Sequence, residues 1–253
     1  MFDFGGERVV ITGAGGGVGQ ALVEVFCNFG AAVVACDVVG ADLPQDRIAE
    51  AHHFDLLDEP ALSDACHRIL VNGPPAAVVS NAGWTRAETL EEVTTKALTA
   101  EMDLNFKSAA HLSKALIPAM RGRPSGAAFV FVSSVNANAH FGNPAYAAAK
   151  AALHAWMRAI ATEEGKNGIR ANVVVPGSIK TPAWTHRLEQ NPAIIEAVGR
   201  LYPLGRLVEP IEVANTVAFL ASPLASGITG AAIPVDAGIS AGNLPFLDQI
   251  AGG

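Results

Sequence analysis

The chain has 253 residues, half of them hydrophobic and 16% charged, enough apolar material for the core of one large α/β domain. Its formal net charge of −7 speaks against nucleic acid or an anionic membrane as the main partner. The three cysteines, Cys27, Cys36 and Cys66, are odd in number and fit no metal-ligand spacing, so reduced thiols and no metal are expected. No basic stretch leads into an apolar one at the N-terminus, and polar residues interrupt every apolar run short of the ~18 that a membrane span needs. A cytoplasmic protein is the expectation.

In chain order, Arg8–Thr12 predicts a strand and Gly17–Phe29 a helix closed by Gly30. Ala32–Cys36 is a second strand. The segment from there to Asp55 holds Pro44 and leaves room only for a short helix at Gln45–Glu50, beside a thinly covered sheet edge. Ala76–Ser80, Ala127–Ser133 and Ile169–Val175 are nearly continuous apolar runs, as strands covered on both faces read. Helical stretches at Glu91–Met120 and Ala145–Glu164 lie between them. The βαβα alternation, with no linker and no repeat, predicts a single α/β domain over residues 1–253. Its core is a doubly wound, Rossmann-like parallel sheet flanked by helices on both faces.

The first strand runs into Thr12-Gly13-Ala14-Gly15-Gly16-Gly17-Val18-Gly19, a T-G-x-x-x-G-x-G turn that opens a helix. Glycines let a backbone approach a pyrophosphate closely, and a helix N-terminus offers it unpaired N–H groups. Asp37 ends the second strand, where an acidic residue about 20 positions past the glycines takes hydrogen bonds from the adenosine ribose hydroxyls. A carboxylate there repels a 2′-phosphate, Gly16 offers it no charge, and no Arg or Lys occupies positions 38–41. NAD is favoured over NADP.

Tyr146 and Lys150 stand four apart at the start of a helix, so they are neighbours on its surface. To act as an acid–base near neutral pH the phenol must drop from a pKa of about 10, which takes preferential stabilisation of the phenolate by up to ~4 kcal/mol. An adjacent ammonium in a semi-enclosed cleft supplies much of that. A Tyr-x-x-x-Lys pair recurs by chance, and its weight comes from its setting. Ser133-Ser134, Asn81-Ala82-Gly83 and Pro176-Gly177 all end strands at the same sheet edge, where open α/β sheets bind ligands. A serine hydroxyl there can hold a substrate oxygen against Tyr146.

With these motifs, and with Asp55-Leu56, Asn105 and Pro176–Pro182 in order between them, the sequence resembles the short-chain dehydrogenase/reductase family over nearly its whole length. The resemblance implies an NAD-dependent oxidoreductase that interconverts a secondary alcohol and a ketone. It implies a tetrad of Asn105, Ser134, Tyr146 and Lys150: Tyr146 as acid–base, Lys150 lowering its pKa and binding the nicotinamide ribose, Ser134 on the substrate oxygen, Asn105 holding a relay water. The cofactor is expected on Gly13, Gly17, Val18, Gly19 and Asp37, with Asp55 and Leu56 at the adenine. Asn81, Ala82 and Gly83 would line its middle, with Tyr146 and Lys150 beyond, then Pro176 and Gly177, and Ile179 and Thr181 at the carboxamide. In most relatives the serine lies thirteen residues before the tyrosine, the spacing of Ser133, whereas Ser134 matches the motif better and is preferred. The family's substrate segments correspond to residues 136–144 and about 183–205. Asn136, Asn138 and His140 make the first polar, which leans toward a small hydroxylated substrate such as a polyol, sugar or hydroxyacid. Trp84, His140 and Trp184 join Ser134 as substrate candidates, while His186, Arg187, Arg200 and Tyr202 read as packing or surface. The Ala-rich helices at Leu98–Met120 and Ala145–Glu164 suit the homotetramer the family implies. The rival readings are an NADPH-dependent reductase of 3-oxoacyl thioesters, an epimerase or dehydratase on the same scaffold, and a non-catalytic NAD-binding regulator, which the intact tetrad disfavours.

Overall fold

The computed structural model describes residues 2–85 and 89–251. Seven strands among them form one parallel sheet: β1 (Arg8–Thr12), β2 (Ala32–Asp37), β3 (Glu50–His53), β4 (Ala77–Ser80), β5 (Ala127–Val132), β6 (Ile169–Pro176) and β7 (Ala232–Val235). Their spatial order is β3-β2-β1-β4-β5-β6-β7. The chain reverses its direction of travel across the sheet between β1 and β4, and a doubly wound sheet binds ligands at such a switch point, outside the carboxyl ends of the strands.

Side chains alternate along each strand, so the sheet feeds two cores. Val10, Val34, Phe129 and Phe131 face α2 (Glu59–Val71), α4 (Ser108–Met120) and α5 (Pro144–Glu164) on one side. Val9, Ile11, Val33 and Val130 face α1 (Gly17–Asn28) and α8 (Pro210–Ala221) on the other. Both faces are dry, which is why these strands read as unbroken apolar runs. Helix α1 ends as expected at Gly30, whose φ of +71° a side chain would resist.

The remaining helices are α3 (Thr95–Met102), α6 (Thr185–Gln190), α7 (Ile194–Gly199) and α9 (Leu244–Ala251). Between α3 and α4, Asp103–Lys107 form a π-helical turn. The long helix expected from Glu91 therefore starts four residues late, where the Thr94 hydroxyl caps Ala97 N at 3.1 Å, and it widens by one turn before continuing. The helix expected at Gln45–Glu50 is also corrected: residues 45–47 make a turn, and Glu50 opens the edge strand β3. Pairing to β2 creates this strand from Glu-Ala-His-His, a run with little intrinsic β preference. Arg8 Nη2 reaches over β2 to Glu50 Oε1 at 2.7 Å and pins it. No helix among the described residues is long and apolar enough to cross a membrane.

Candidate active site

A cleft of about 1190 Å³ runs along the carboxyl edge of the sheet from Asp37 past the glycine loop to Tyr146 and Lys150. It exceeds the roughly 300–1,000 Å³ that small-molecule sites occupy, leaving room for a dinucleotide and a second small molecule.

The glycine loop is tied down from outside. Thr12 Oγ1 accepts from Asn81 N at 3.1 Å and Ala82 N at 3.2 Å, and Asn81 Nδ2 returns a bond to Gly13 O at 3.1 Å. The first strand's threonine thus staples the loop to the Asn81-Ala82-Gly83 turn after β4. A Cβ on Gly13 would stand 2.9 Å from Ala82 Cα, and one on Gly19 would collide with Gly13 O. Gly17 faces Thr181 across the cleft, where a Cβ would come within 3.0 Å of that side chain. These are cradles that only glycine leaves open, next to the N-terminus of α1, and they fit a pyrophosphate. Asp37 lies beside them, with Oδ2 accepting from Gly15 N and Oδ1 from Val38 N, both at 2.8 Å. Asp55 and Leu56 line the same end.

On the far side, Ile179 bridges to Val208, and Ser178 N donates to the Tyr202 hydroxyl at 2.8 Å. Tyr202 is buried and its ring packs so closely on Gly177 that a Cβ there would lie 2.9 Å away. Sequence reasoning took this tyrosine for packing or surface; it is packed, and it also holds the turn carrying Ile179 and Thr181.

At the centre, Lys150 Nζ lies 5.5 Å from the Tyr146 ring centroid, and Ser134 stands near enough to the phenol to favour its ionised form. The two adjacent serines part company. Ser134 Oγ donates to Asn136 Oδ1 and accepts from Asn136 N, both at 3.2 Å, whereas Ser133, on the cleft lining, has its Oγ buried 2.8 Å from His154 Nε2. Of the pair, Ser134 is the one that influences the phenol. Lys150 Nζ donates to Val132 O at 2.9 Å. Burial pulls the lysine down to about 8, against the attraction of Glu101. Burial pushes Tyr146 up to about 12, with Ser134 opposing and Glu101 reinforcing. The phenol thus stands above its ordinary value rather than below it as expected of a neighbouring Lys150, because desolvation of the phenolate is the largest effect.

Asn105 sits in the π turn, buried, with Nδ2 donating to Trp84 O at 2.9 Å. Trp84 lines the cleft but is 58% exposed. His140 is exposed outside the cleft lining, and Trp184 Nε1 donates to Ile179 O at 2.9 Å. The side chains of His186 and Arg187 lie outside the described residues. Asn143, at the cleft rim just before α5, holds a left-handed φ of +51°. Sequence reasoning passed over it, and over the buried Glu101.

Residues 13–240 match a family model described as enoyl-(acyl carrier protein) reductase. An uncharacterised oxidoreductase of Schizosaccharomyces pombe is 35% identical over 97% of this chain and 95% of its own. A (3R)-3-hydroxyacyl-CoA dehydrogenase of Rattus norvegicus is 31% identical over 91% and 95% respectively. The crystal structure of an oxidoreductase of the short-chain dehydrogenase/reductase family from Burkholderia thailandensis superposes with a TM-score of 0.90 at 39% identity, covering 98% of both chains. The chain is an oxidoreductase and belongs to the short-chain dehydrogenase/reductase family.

Proposed function

We propose that the protein is an NAD-dependent dehydrogenase/reductase that interconverts a secondary alcohol and a ketone on a small polar hydroxy compound. The observation that carries this is the Tyr146–Lys150 pair on the same cleft as the glycine loop, with Ser134 acting on the phenol. The nicotinamide, when bound, supplies the hydride acceptor for oxidation or the hydride donor for reduction. The rest falls to the chain. Ser134 Oγ donates to the substrate oxygen and fixes it against the phenol. In oxidation the Tyr146 phenolate takes the hydroxyl proton; in reduction the phenol gives it back. Lys150 favours the phenolate once the site is loaded, and Asn105 joins it in the proton relay. Gly13, Gly17, Val18 and Gly19 receive the pyrophosphate. Asn81, Ala82, Gly83, Pro176 and Gly177 wall the middle, and Ile179 and Thr181 hold the carboxamide.

Asp37 supports NAD over NADP. Its carboxylate stands at the adenosine end, and Val38 and Val39 follow it where a 2′-phosphate would need cations. The substrate class rests on the polar loop of Asn136, Asn138 and His140. The working form is read as a cytoplasmic homotetramer. A second reading, a reductase of 3-oxoacyl thioesters, is favoured by the acyl-thioester names of the matching family model and the rat relative.

Three measurements test this. NADH titrated by fluorescence should bind about ten times tighter than NADPH or better, and Asp37→Ala should narrow the gap; equal affinities in the intact protein overturn the Asp37 assignment. Tyr146→Phe should lose about 10²-fold or more in turnover while keeping NADH binding, and retained turnover removes the proposed acid–base. A panel of alcohols, polyols, sugars, hydroxyacids and a 3-hydroxyacyl thioester, followed by NAD reduction, decides between the two substrate readings.

A further inference from the structure

Helix α3 buries one side chain, and it is Glu101, 8% exposed. A buried carboxylate costs free energy unless it is hydrogen-bonded, so packing alone would favour an apolar residue here. Glu101 Oε1 accepts from Thr85 Oγ1 at 3.0 Å, and Oε2 accepts from Asn105 Nδ2 at 2.6 Å, the length of a charge-assisted bond. The two residues are four apart, and the π turn begins between them, so they share one face of the widened helix.

Asn105 Nδ2 also donates to Trp84 O at 2.9 Å and Glu101 O at 3.2 Å. An amide nitrogen among three acceptors has one acceptable orientation, because the flipped amide would set its oxygen against a carboxylate and two carbonyls. Oδ1 therefore points the other way. Among the described residues it is the buried side-chain polar atom left without a protein partner. A Cβ on Gly83 would lie 2.7 Å from that oxygen and 3.3 Å from Lys150 Nζ, so acceptor and ammonium flank the same point.

We propose that Glu101 is a positioning residue of the proton-transfer site, locking the Asn105 carbonyl toward Lys150 and standing as a fixed negative charge behind the Tyr146–Lys150 pair. Its effect on turnover rests on the oxidoreductase reading above; its effect on Lys150 does not. Among the described residues, the titratable groups facing Lys150 are Tyr146 and His154 from α5 and Glu101 from α3. Glu101 favours the ammonium against burial, so removing its charge lowers the lysine's midpoint.

The chain has six lysines, and Lys150 can be identified in a lysine-labelled NMR titration by its loss in Lys150→Arg. In Glu101→Gln the Lys150 midpoint, about 8 in the intact protein, should fall. NADH affinity should stay within about twofold, and kcat on the best substrate should drop about tenfold or more with KM moving less. An unmoved Lys150 midpoint overturns the proposal, and so does an unchanged kcat. Adding Glu101→Gln to Asn105→Ala should cost less in kcat than Glu101→Gln costs alone, because only the direct effect of the charge on Lys150 is left to lose; fully independent losses overturn action through Asn105. If Glu101→Gln does not melt cooperatively, Glu101→Asp keeps the charge on a shorter arm. It should then hold the lysine midpoint and lower kcat, and full kcat overturns the positioning role. The lysine titration needs neither substrate nor cofactor. An intact protein inactive on every substrate therefore refutes the oxidoreductase reading alone, whereas an unmoved midpoint in Glu101→Gln, or for the shorter arm full kcat, counts against Glu101.

Discussion

At Gly83 the missing side chain is part of the site. A methyl group there would press on Asn105 Oδ1 and Lys150 Nζ at once, and Asn105 has little freedom to move because Glu101 and Trp84 hold its other end. Gly83→Ala should therefore cost about 1–3 kcal/mol of stability, as overpacking does, and lower kcat well beyond that loss of folded protein. Urea unfolding and steady-state kinetics on one preparation separate the two effects, and unchanged kcat would show that the turn can yield. Residues whose chemistry is carried by their identity were readable before any fold was known: Tyr146 and Lys150 by spacing, the loop glycines by pattern. Ser133 and Ser134 could not be told apart by counting to the tyrosine, because the answer depends on how β5 ends; the structure turns the Ser133 hydroxyl to His154 and the Ser134 hydroxyl to Asn136, from where it influences the phenol. Glu101 and Tyr202 carry no local signature. Tyr202 acts on Ser178, 24 residues away, and an isolated glutamate or tyrosine gives no hint of such a partner.

Helices α4 and α5 are joined at their ends by Arg121 and Glu164, whose fork-to-fork bonds measure 2.8 and 2.6 Å, with Asn167 Nδ2 adding a third to the carboxylate at 2.7 Å. The guanidinium and these bonds hold Glu164 at about 2, below its ordinary 4.5. The folded carboxylate thus stays ionised where the unfolded one has taken up its proton. Its contribution to stability is complete above about 4.5 and is lost as the pH falls from there toward 2. Glu164→Gln should lower the melting temperature by a few degrees at neutral pH, muted by the half-exposed arginine, and the gap to the intact protein should close on acidification. A gap independent of pH would assign the loss to packing instead. Elements with a strong period of their own, such as α1, α5, β1 and β5, were legible in the sequence to within a residue or so at each end. Those that exist only through a neighbour were not. β3 is a strand because β2 and Arg8 make it one, β7 is a short half-exposed run at the sheet edge, and the π turn at Asn105 leaves no mark in a helical period.

At the scale of the whole molecule, two of the exposed apolar surfaces among the described residues suit self-association. One is the outer stripe of α5, where Ala148, Ala151 and Ala155 lie open at helical spacing. The other lies around the C-terminal helix, with Phe246 59%, Leu247 52% and Ile250 65% exposed. Small residues let two helices approach closely, and closed assemblies use self-complementary patches related by two-fold axes. Two distinct patches on one chain, each pairing with its own copy, generate a tetramer. Sedimentation velocity should therefore find four 26.1 kDa chains in one particle. Ala155→Arg places a long charged side chain on the α5 stripe, and it should halve the assembly to a dimer held by the remaining patch. A monomer in the intact protein at micromolar concentration would sink this reading, as would a tetramer unaffected by Ala155→Arg. The consequence reaches the site because α5 carries Tyr146 and Lys150 near its start, on the side of the helix that faces the cleft. In the proposed tetramer, pairing the outer face would stiffen the helix that carries Tyr146 and Lys150. The dimeric variant should accordingly lose melting temperature and kcat together, with NADH affinity less affected because the glycine loop sits on α1. A dimer with full kcat would mean that the fold of one chain suffices to hold the pair.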